Sequence, residues 1–183
     1  MGRDKALLPY QGTTLVAHIA ARVAAAAGCV TLVGSSGRYR DLPYATIDDL
    51  RPGSGPAGGL EAALHASKAE WNLLVACDMP RLTAGFLRNL FEAAETSGER
   101  CLVPVSPSGR LEPLCAVYRR DCAAGVSDAL ARGMRKMTAV VAALGAVHWP
   151  VDEGVWFENL NTPGDWMRHE QHVPPLHRVP PRS

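Results

Sequence analysis

The 183-residue chain predicts an α/β fold, a doubly wound and mostly parallel sheet flanked by helices. Short, continuous apolar runs such as Leu73 to Cys77 and Leu102 to Val105 suit strands covered on both faces. Amphipathic stretches at helical spacing, Leu60 to Lys68 and Phe86 to Ala94, lie between them. The order helix, strand, loop, helix, strand, helix, strand is the alternation from which such sheets are built.

Each element has a local cause. Thr13 or Thr14 can cap a helix that ends at Gly28, with Leu15, Ile19 and Val23 recurring at helical spacing. Strands are expected from Cys29 to Val33 and from Tyr44 to Ile47. The run Pro52-Gly53-Ser54-Gly55-Pro56-Ala57-Gly58-Gly59 reads as a loop, with a helix beginning at Leu60. After Val105 the rhythm changes. Pro107-Ser108-Gly109 reads as a turn, Leu114 to Tyr118 as a strand, and Cys122–Arg132 and Met134–Leu144 as helices, an α+β extension at one end of the sheet. Val147 to Trp149 forms a short strand, and Thr162-Pro163-Gly164-Asp165 starts a final helix with Thr as cap and Pro at its first position. Residues 1–171 therefore form one domain, and the proline-rich segment 172–183, with little to bury, is expected to be a flexible tail.

Composition narrows the function. At a typical ~100–200 residues per domain one core is expected, and 47% apolar with 20% charged residues excludes disorder, collagen-like repeats and coiled coil. A net charge of +1 supplies no broad cationic field for nucleic acid or for an anionic membrane. No apolar stretch approaches the roughly 18 residues of a membrane span, and Met1-Gly2-Arg3-Asp4-Lys5 has no secretory apolar core. A soluble, cytoplasmic protein is expected. Cys29, Cys77, Cys101, Cys115 and Cys122 form no C-x-x-C pair and read as reduced, buried thiols.

Ligands of open parallel sheets bind beyond the carboxyl ends of the strands. Asp78 follows the Leu73–Cys77 strand and precedes Met79-Pro80, where its hard carboxylate suits Mg²⁺ carrying phosphates; equally, it could cap the turn before the Thr83 helix. Asp48 and Asp49 follow another strand and could accept hydrogen bonds from a base or ribose. The glycines near Gly55 would let backbone N–H groups approach a ligand, yet the run matches neither the Walker nor the dinucleotide pattern, and a purely structural loop fits it as well. Lys5 is a compact charge able to neutralise phosphate or simply a solvated surface group. Asn159 and Asn161 offer neutral oxygens, or act as turn and capping residues.

Together, Met1-Gly2-Arg3-Asp4-Lys5-Ala6-Leu7-Leu8, Gly55-Pro56-Ala57-Gly58-Gly59, Cys77-Asp78-Met79-Pro80, Glu112-Pro113-Leu114 and Asn159-Leu160-Asn161-Thr162-Pro163 resemble the ordered motifs of the molybdenum cofactor guanylyltransferases, within the Rossmann-like nucleotidyltransferases. Cys77-Asp78-Met79-Pro80 resembles the guanylyl branch more than the cytidylyl one. The resemblance implies Mg²⁺-dependent transfer of GMP from GTP to the terminal phosphate of molybdopterin, with molybdoenzyme chaperones as possible further partners. It assigns Lys5 to the triphosphate and Asp78 to Mg²⁺, both catalytic. It assigns Asp48 to the nucleotide, Gly55, Pro56, Gly58 and Gly59 to the nucleotide or pterin side, and Asn161 to the acceptor.

Two departures accompany it. The family precedes the Met-Gly-x-Asp-Lys run with a strand and a loop of the form Leu-Ala-Gly-Gly-x-Ser-x-Arg, so the expectation is that Met1 is an internal methionine or that the chain is N-terminally truncated. The neighbours of such a strand would then carry unpaired backbone groups. Gly34-Ser35-Ser36 stands where some members place asparagines near the nucleotide. The alternatives are a nucleotide-binding remnant without turnover, or a transferase for CTP or a sugar phosphate.

Overall fold

A computed structural model describes residues 4–34 and 37–160. The expected Thr162 helix, Asn161, Ser35, Ser36 and the segment 172–183 lie outside the described residues.

The described chain opens with a 3₁₀ turn, Lys5–Leu7, and a hairpin of β1 (Pro9–Tyr10) and β2 (Thr13–Thr14). The hairpin escapes sequence reading because its two-residue turn carries Gln11, at φ 46°, where Asn or Asp usually precedes the glycine. Helix α1 (Leu15–Ala27) is capped as expected: Thr14 Oγ1 accepts the Ala17 N–H at 3.3 Å, and Gly28 closes it at φ 79°. Then follow β3 (Thr31–Val33), β4 (Ala45–Ile47), α2 (Gly55–Ala66), β5 (Trp71–Val75), α3 (Ala84–Ser97), β6 (Cys101–Val105), β7 (Cys115–Arg119), α4 (Cys122–Ala131), α5 (Met137–Ala143), β8 (Val147–Pro150) and a 3₁₀ turn, Val155–Phe157.

Helix α2 starts at Gly55, not at the expected Leu60. Pro56 explains the difference: its fixed φ suits the first helical turn, where no N–H is required, so the glycine-rich run becomes helix. Helix α5 begins at Met137 rather than Met134, and β5 ends at Val75, leaving Ala76 and Cys77 as an extended lead into Asp78.

β5, β7, β6 and β8 form one sheet in that order. β6 runs parallel to β8, and β7 is antiparallel to both β5 and β6. Thus β5, β6 and β8 point one way and β7 alone reverses, because the excursion between Val105 and Cys115 is too short for a crossover. Pro104 lacks an N–H, and the β6–β7 register stops at Leu102. Alternation along β6 and β7 feeds two cores. Cys101, Val103, Ala116 and Tyr118 pack beneath α2, α4 and α5, while Leu102, Cys115 and Val117 meet Ile19 and Val23 of α1 and Leu87 and Leu90 of α3. Helices thus cover both faces, and the strands read as unbroken apolar runs for that reason.

β3 pairs with β4 in a separate parallel pair. Among the described residues β3 and β5 are each edge strands, and they face one another across a groove of about 340 Å³ lined by Val33, Leu60, Leu64, Leu73 and Phe91. The carboxyl ends of β3 and β5 meet at Tyr39, which packs with Leu32 and Cys77. Among the described residues no helix is long and apolar enough to cross a membrane. Cys29 is exposed and Cys77 half-buried, against the expectation that all the thiols are buried; Gly28 turns the chain to the surface just before Cys29.

Two measurements test this frame. Amide exchange should be faster over Thr31–Val33 and Trp71–Val75 than over Cys115–Arg119, whose two edges are both paired near Tyr118; equal protection would contradict the two open edges. A thiol reagent at about pH 8 should label Cys29 first. Burial pushes the Cys77 thiol up to about 11, so it should react slowly, and Cys101, Cys115 and Cys122 only on unfolding.

Candidate active site

Asp78 stands at the carboxyl end of β5, on a segment fixed from three sides. Ala76 N–H bonds to Leu114 O at 2.7 Å, Leu160 N–H bonds to Asp78 O at 2.9 Å, and Leu82 N–H closes a turn on Met79 O at 3.2 Å. Met79 and Leu82 are buried, so the turn is anchored by apolar packing as well. Helix α3 is capped by Thr83, whose Oγ1 accepts the Phe86 N–H at 3.1 Å. Asp78 is therefore not the cap.

The Asp78 carboxyl is half-buried, and its Oδ1 is shielded from solvent with no hydrogen-bond partner. Burial raises its pKa above the ordinary carboxylate range; a backbone N–H and the Lys5 ammonium oppose that rise. A buried, unpartnered carboxylate oxygen signals a missing donor or cation. Asn159, next to Leu160, likewise has a buried Oδ1 without a partner. The Leu160–Asp78 bond brings the two orphaned oxygens into neighbouring segments. Sequence reading weighed Asn159 mainly as a capping residue; the signal that could have raised it was its spacing before Asn161.

Lys5 is half-buried in the Lys5–Leu7 turn. Asp4 caps that turn, its Oδ1 accepting the Ala6 N–H at 3.2 Å, and Asp4 Oδ2 lies 3.0 Å from Arg38 Nε. Buried Ala6 packs with Val16, Ala20 and Tyr39, which fixes the turn against α1 at the end of β3. The Lys5 ammonium thus acts electrostatically on Asp78 although β1 to β5 lie between them in sequence.

Asp48 is exposed directly after β4, whose Ile47 O accepts the Gly34 N–H at 2.9 Å. It stands at the carboxyl end of the separate β3–β4 pair. Gly55 and Pro56 are exposed at the start of α2, and Gly55 takes φ 63°. Gly58 is different. It is buried, and a Cβ there would lie 2.9 Å from Ser54 Cβ and 3.3 Å from Arg51 O. A Cβ on Gly59 would lie 3.6 Å from Val33 Cγ1 and 3.8 Å from Asp49 Oδ1, ordinary contact distances. Gly58 therefore serves close packing of α2 on the preceding segment, whereas Gly59 leaves room for a Cβ.

Glu112 is buried with Arg110 Nε at 2.6 Å, while Arg110 Nη2 donates to Phe157 O at 3.1 Å. Burial raises the Glu112 pKa and Arg110 opposes it. The Glu112-Pro113-Leu114 stretch ties the sheet to the turn preceding Asn159. Among the described residues no three His, Cys, Asp or Glu side chains gather into a metal cluster. A divalent ion here would take one protein carboxylate, neutral oxygens and substrate phosphates, the pattern suited to Mg²⁺.

Comparison with known proteins bears on family and fold. Residues 1–147 match the model described as MobA-like NTP transferase domain. A probable molybdenum cofactor guanylyltransferase from Synechococcus elongatus is 32% identical, over 91% of this chain and 90% of the relative. One from Deinococcus radiodurans is 33% identical, over 90% and 84%. The crystal structure of molybdopterin-guanine dinucleotide biosynthesis protein A from Archaeoglobus fulgidus superposes with a TM-score of 0.79 at 26% identity, covering 93% of this chain and 90% of that one. Family model, sequence relatives and fold agree: the chain belongs to the MobA-like NTP transferase family.

Proposed function

We propose that this protein transfers GMP from GTP to the terminal phosphate of molybdopterin and releases pyrophosphate, with Mg²⁺ as its cofactor. The relatives' names supply the substrate class. The observation that carries the chemistry is the shielded, unpartnered Asp78 Oδ1 near Lys5. An acceptor phosphate oxygen attacks the α-phosphorus, a new P–O bond forms there, and the bond to the β-phosphate breaks as pyrophosphate leaves.

No covalent protein nucleophile is required, so the chain's task is positioning and charge neutralisation. Asp78 Oδ1, with Asn159 Oδ1 close in the fold, offers the hard oxygen donors that fit Mg²⁺. When bound, the ion would offset negative charge on the phosphates. Lys5 adds a compact positive charge that both phosphate and carboxylate can use, which lessens repulsion between them. Asp48, exposed after β4, would accept hydrogen bonds from the nucleotide, and Gly55 and Pro56, exposed at the start of α2, would line the nucleotide or pterin side in this reading. The resemblance assigns the acceptor to Asn161, which lies outside the described residues.

Asp78→Asn should lower Mg²⁺-dependent pyrophosphate release by about 100-fold or more while the thermal midpoint holds or rises, because a preorganised charge is lost and a buried ionised group is neutralised. Near-normal turnover in that variant would remove Asp78 from the reaction. With GTP, CTP and ATP compared in one assay with molybdopterin, GTP should give the highest kcat/KM. A preference for CTP would reassign the donor, and tight GTP binding without turnover would favour a nucleotide-binding remnant.

A further inference from the structure

Glu61 is a buried carboxylate that the proposed chemistry does not use. It lies on α2, 2% exposed, and both its oxygens are engaged. Arg51 Nε donates to Oε2 at 2.9 Å and to Oε1 at 3.2 Å, and Ser127 Oγ of α4 donates to Oε1 at 2.6 Å. Ser127 gives its single hydroxyl proton to Glu61, so the contact at 3.2 Å from His65 Nε2 is one in which the imidazole donates. A well-packed apolar side chain would hold α2 on α4 at least as cheaply as a buried charge. The carboxylate therefore calls for another reason.

Arg51 supplies it. Its side chain is half-exposed while its Nε is fixed by Glu61, and its carbonyl accepts the Ser54 N–H at 3.1 Å. That carbonyl stands 3.3 Å from the place a Cβ on Gly58 would occupy, and Asp49 Oδ1 stands 3.8 Å from that of Gly59. The segment after β4 is thus held on the first turns of α2 by glycine packing on one side and by one ion pair on the other. We propose that Glu61 is a positioning residue: through Arg51 it sets the place of Asp48 and Asp49 at the rim of the cleft, and so governs nucleotide affinity rather than the chemical step. This rests on the nucleotide role given to Asp48 above.

Glu61→Gln keeps the shape and removes the charge. The KM for GTP, with Mg²⁺ and molybdopterin, should rise about tenfold, the loss typical of a charge-assisted hydrogen bond, with kcat within about threefold. Arg51→Met should reproduce the split, and the double variant should be no worse than either single one, because both remove one interaction. Arg51→Met also keeps the test alive if Glu61→Gln does not fold. Amide exchange at Ser54 and Asp49 should quicken in both variants. A lowered melting temperature with unchanged KM, or unchanged exchange over residues 48–54, overturns the positioning role. Failure of the unmutated chain to consume any nucleoside triphosphate would instead defeat the functional reading, and the exchange measurement would still decide whether Glu61 holds the segment.

Discussion

A carboxylate kept partly out of water, with one oxygen lacking a partner, is the constraint on which the rest of the chain converges. The orphaned Asp78 Oδ1 costs about 1–3 kcal/mol by itself. That cost persists because the surrounding contacts over-determine its position: Ala76 bonded to Leu114, Leu160 bonded to the Asp78 carbonyl, Met79 and Leu82 sunk into the core. Lys5 offsets part of the burial penalty without eliminating it. The side chain is therefore held in place with one oxygen that lacks a donor or a cation.

The sheet makes that arrangement possible. β5, β6 and β8 deliver their carboxyl ends to one side, and the short Val105–Cys115 excursion inserts β7 in reverse, so that Leu114 can hold Ala76 from the neighbouring strand. Arg110 links the same excursion to Phe157, and through it to the segment bearing Asn159. Helices on both faces supply the burial that keeps this end rigid, at roughly 1.5–3 kcal/mol for each large apolar side chain buried. On the other side, β3 and β5 leave a groove between two open edges. Asp48 follows β4 and Asp78 follows the segment after β5, on two separately paired sets of strands, and Tyr39 packs with Leu32 of β3 and with Cys77.

Much of this was legible before any coordinates. The double-sided burial of β6 and β7 is written in uninterrupted apolar runs, and the limits of α1 in Thr14 and Gly28, because both signals are local. The acidic residue at the end of β5 was also readable, since strand ends are where polar side chains follow apolar ones. What escaped was long-range or chemically atypical. The Gln11 turn uses a residue that seldom takes positive φ. The nearness of Lys5 to Asp78 depends on how the first turn packs against α1 and Tyr39, which no local pattern encodes. Only the resemblance named the two residues together; composition and periodicity did not.

The glycine-rich run shows why motif and mechanism must be separated. Read as a loop, Gly55 to Gly59 suggests backbone exposed to a ligand at every position. As the start of a helix, its residues divide: Gly55 and Pro56 remain at the rim, whereas Gly58 is turned inward on Ser54 and Arg51. A side chain at Gly58 would force the Arg51–Ser54 turn away from α2, since even a methyl carbon would sit 2.9 Å from Ser54 Cβ. The absent side chain at Gly58 and the present one at Glu61 thus act on the same short segment, one by permitting contact and the other by enforcing it. A substrate contact at Gly58 is not needed to explain why glycine stands there; the packing of α2 on Arg51 and Ser54 already requires it.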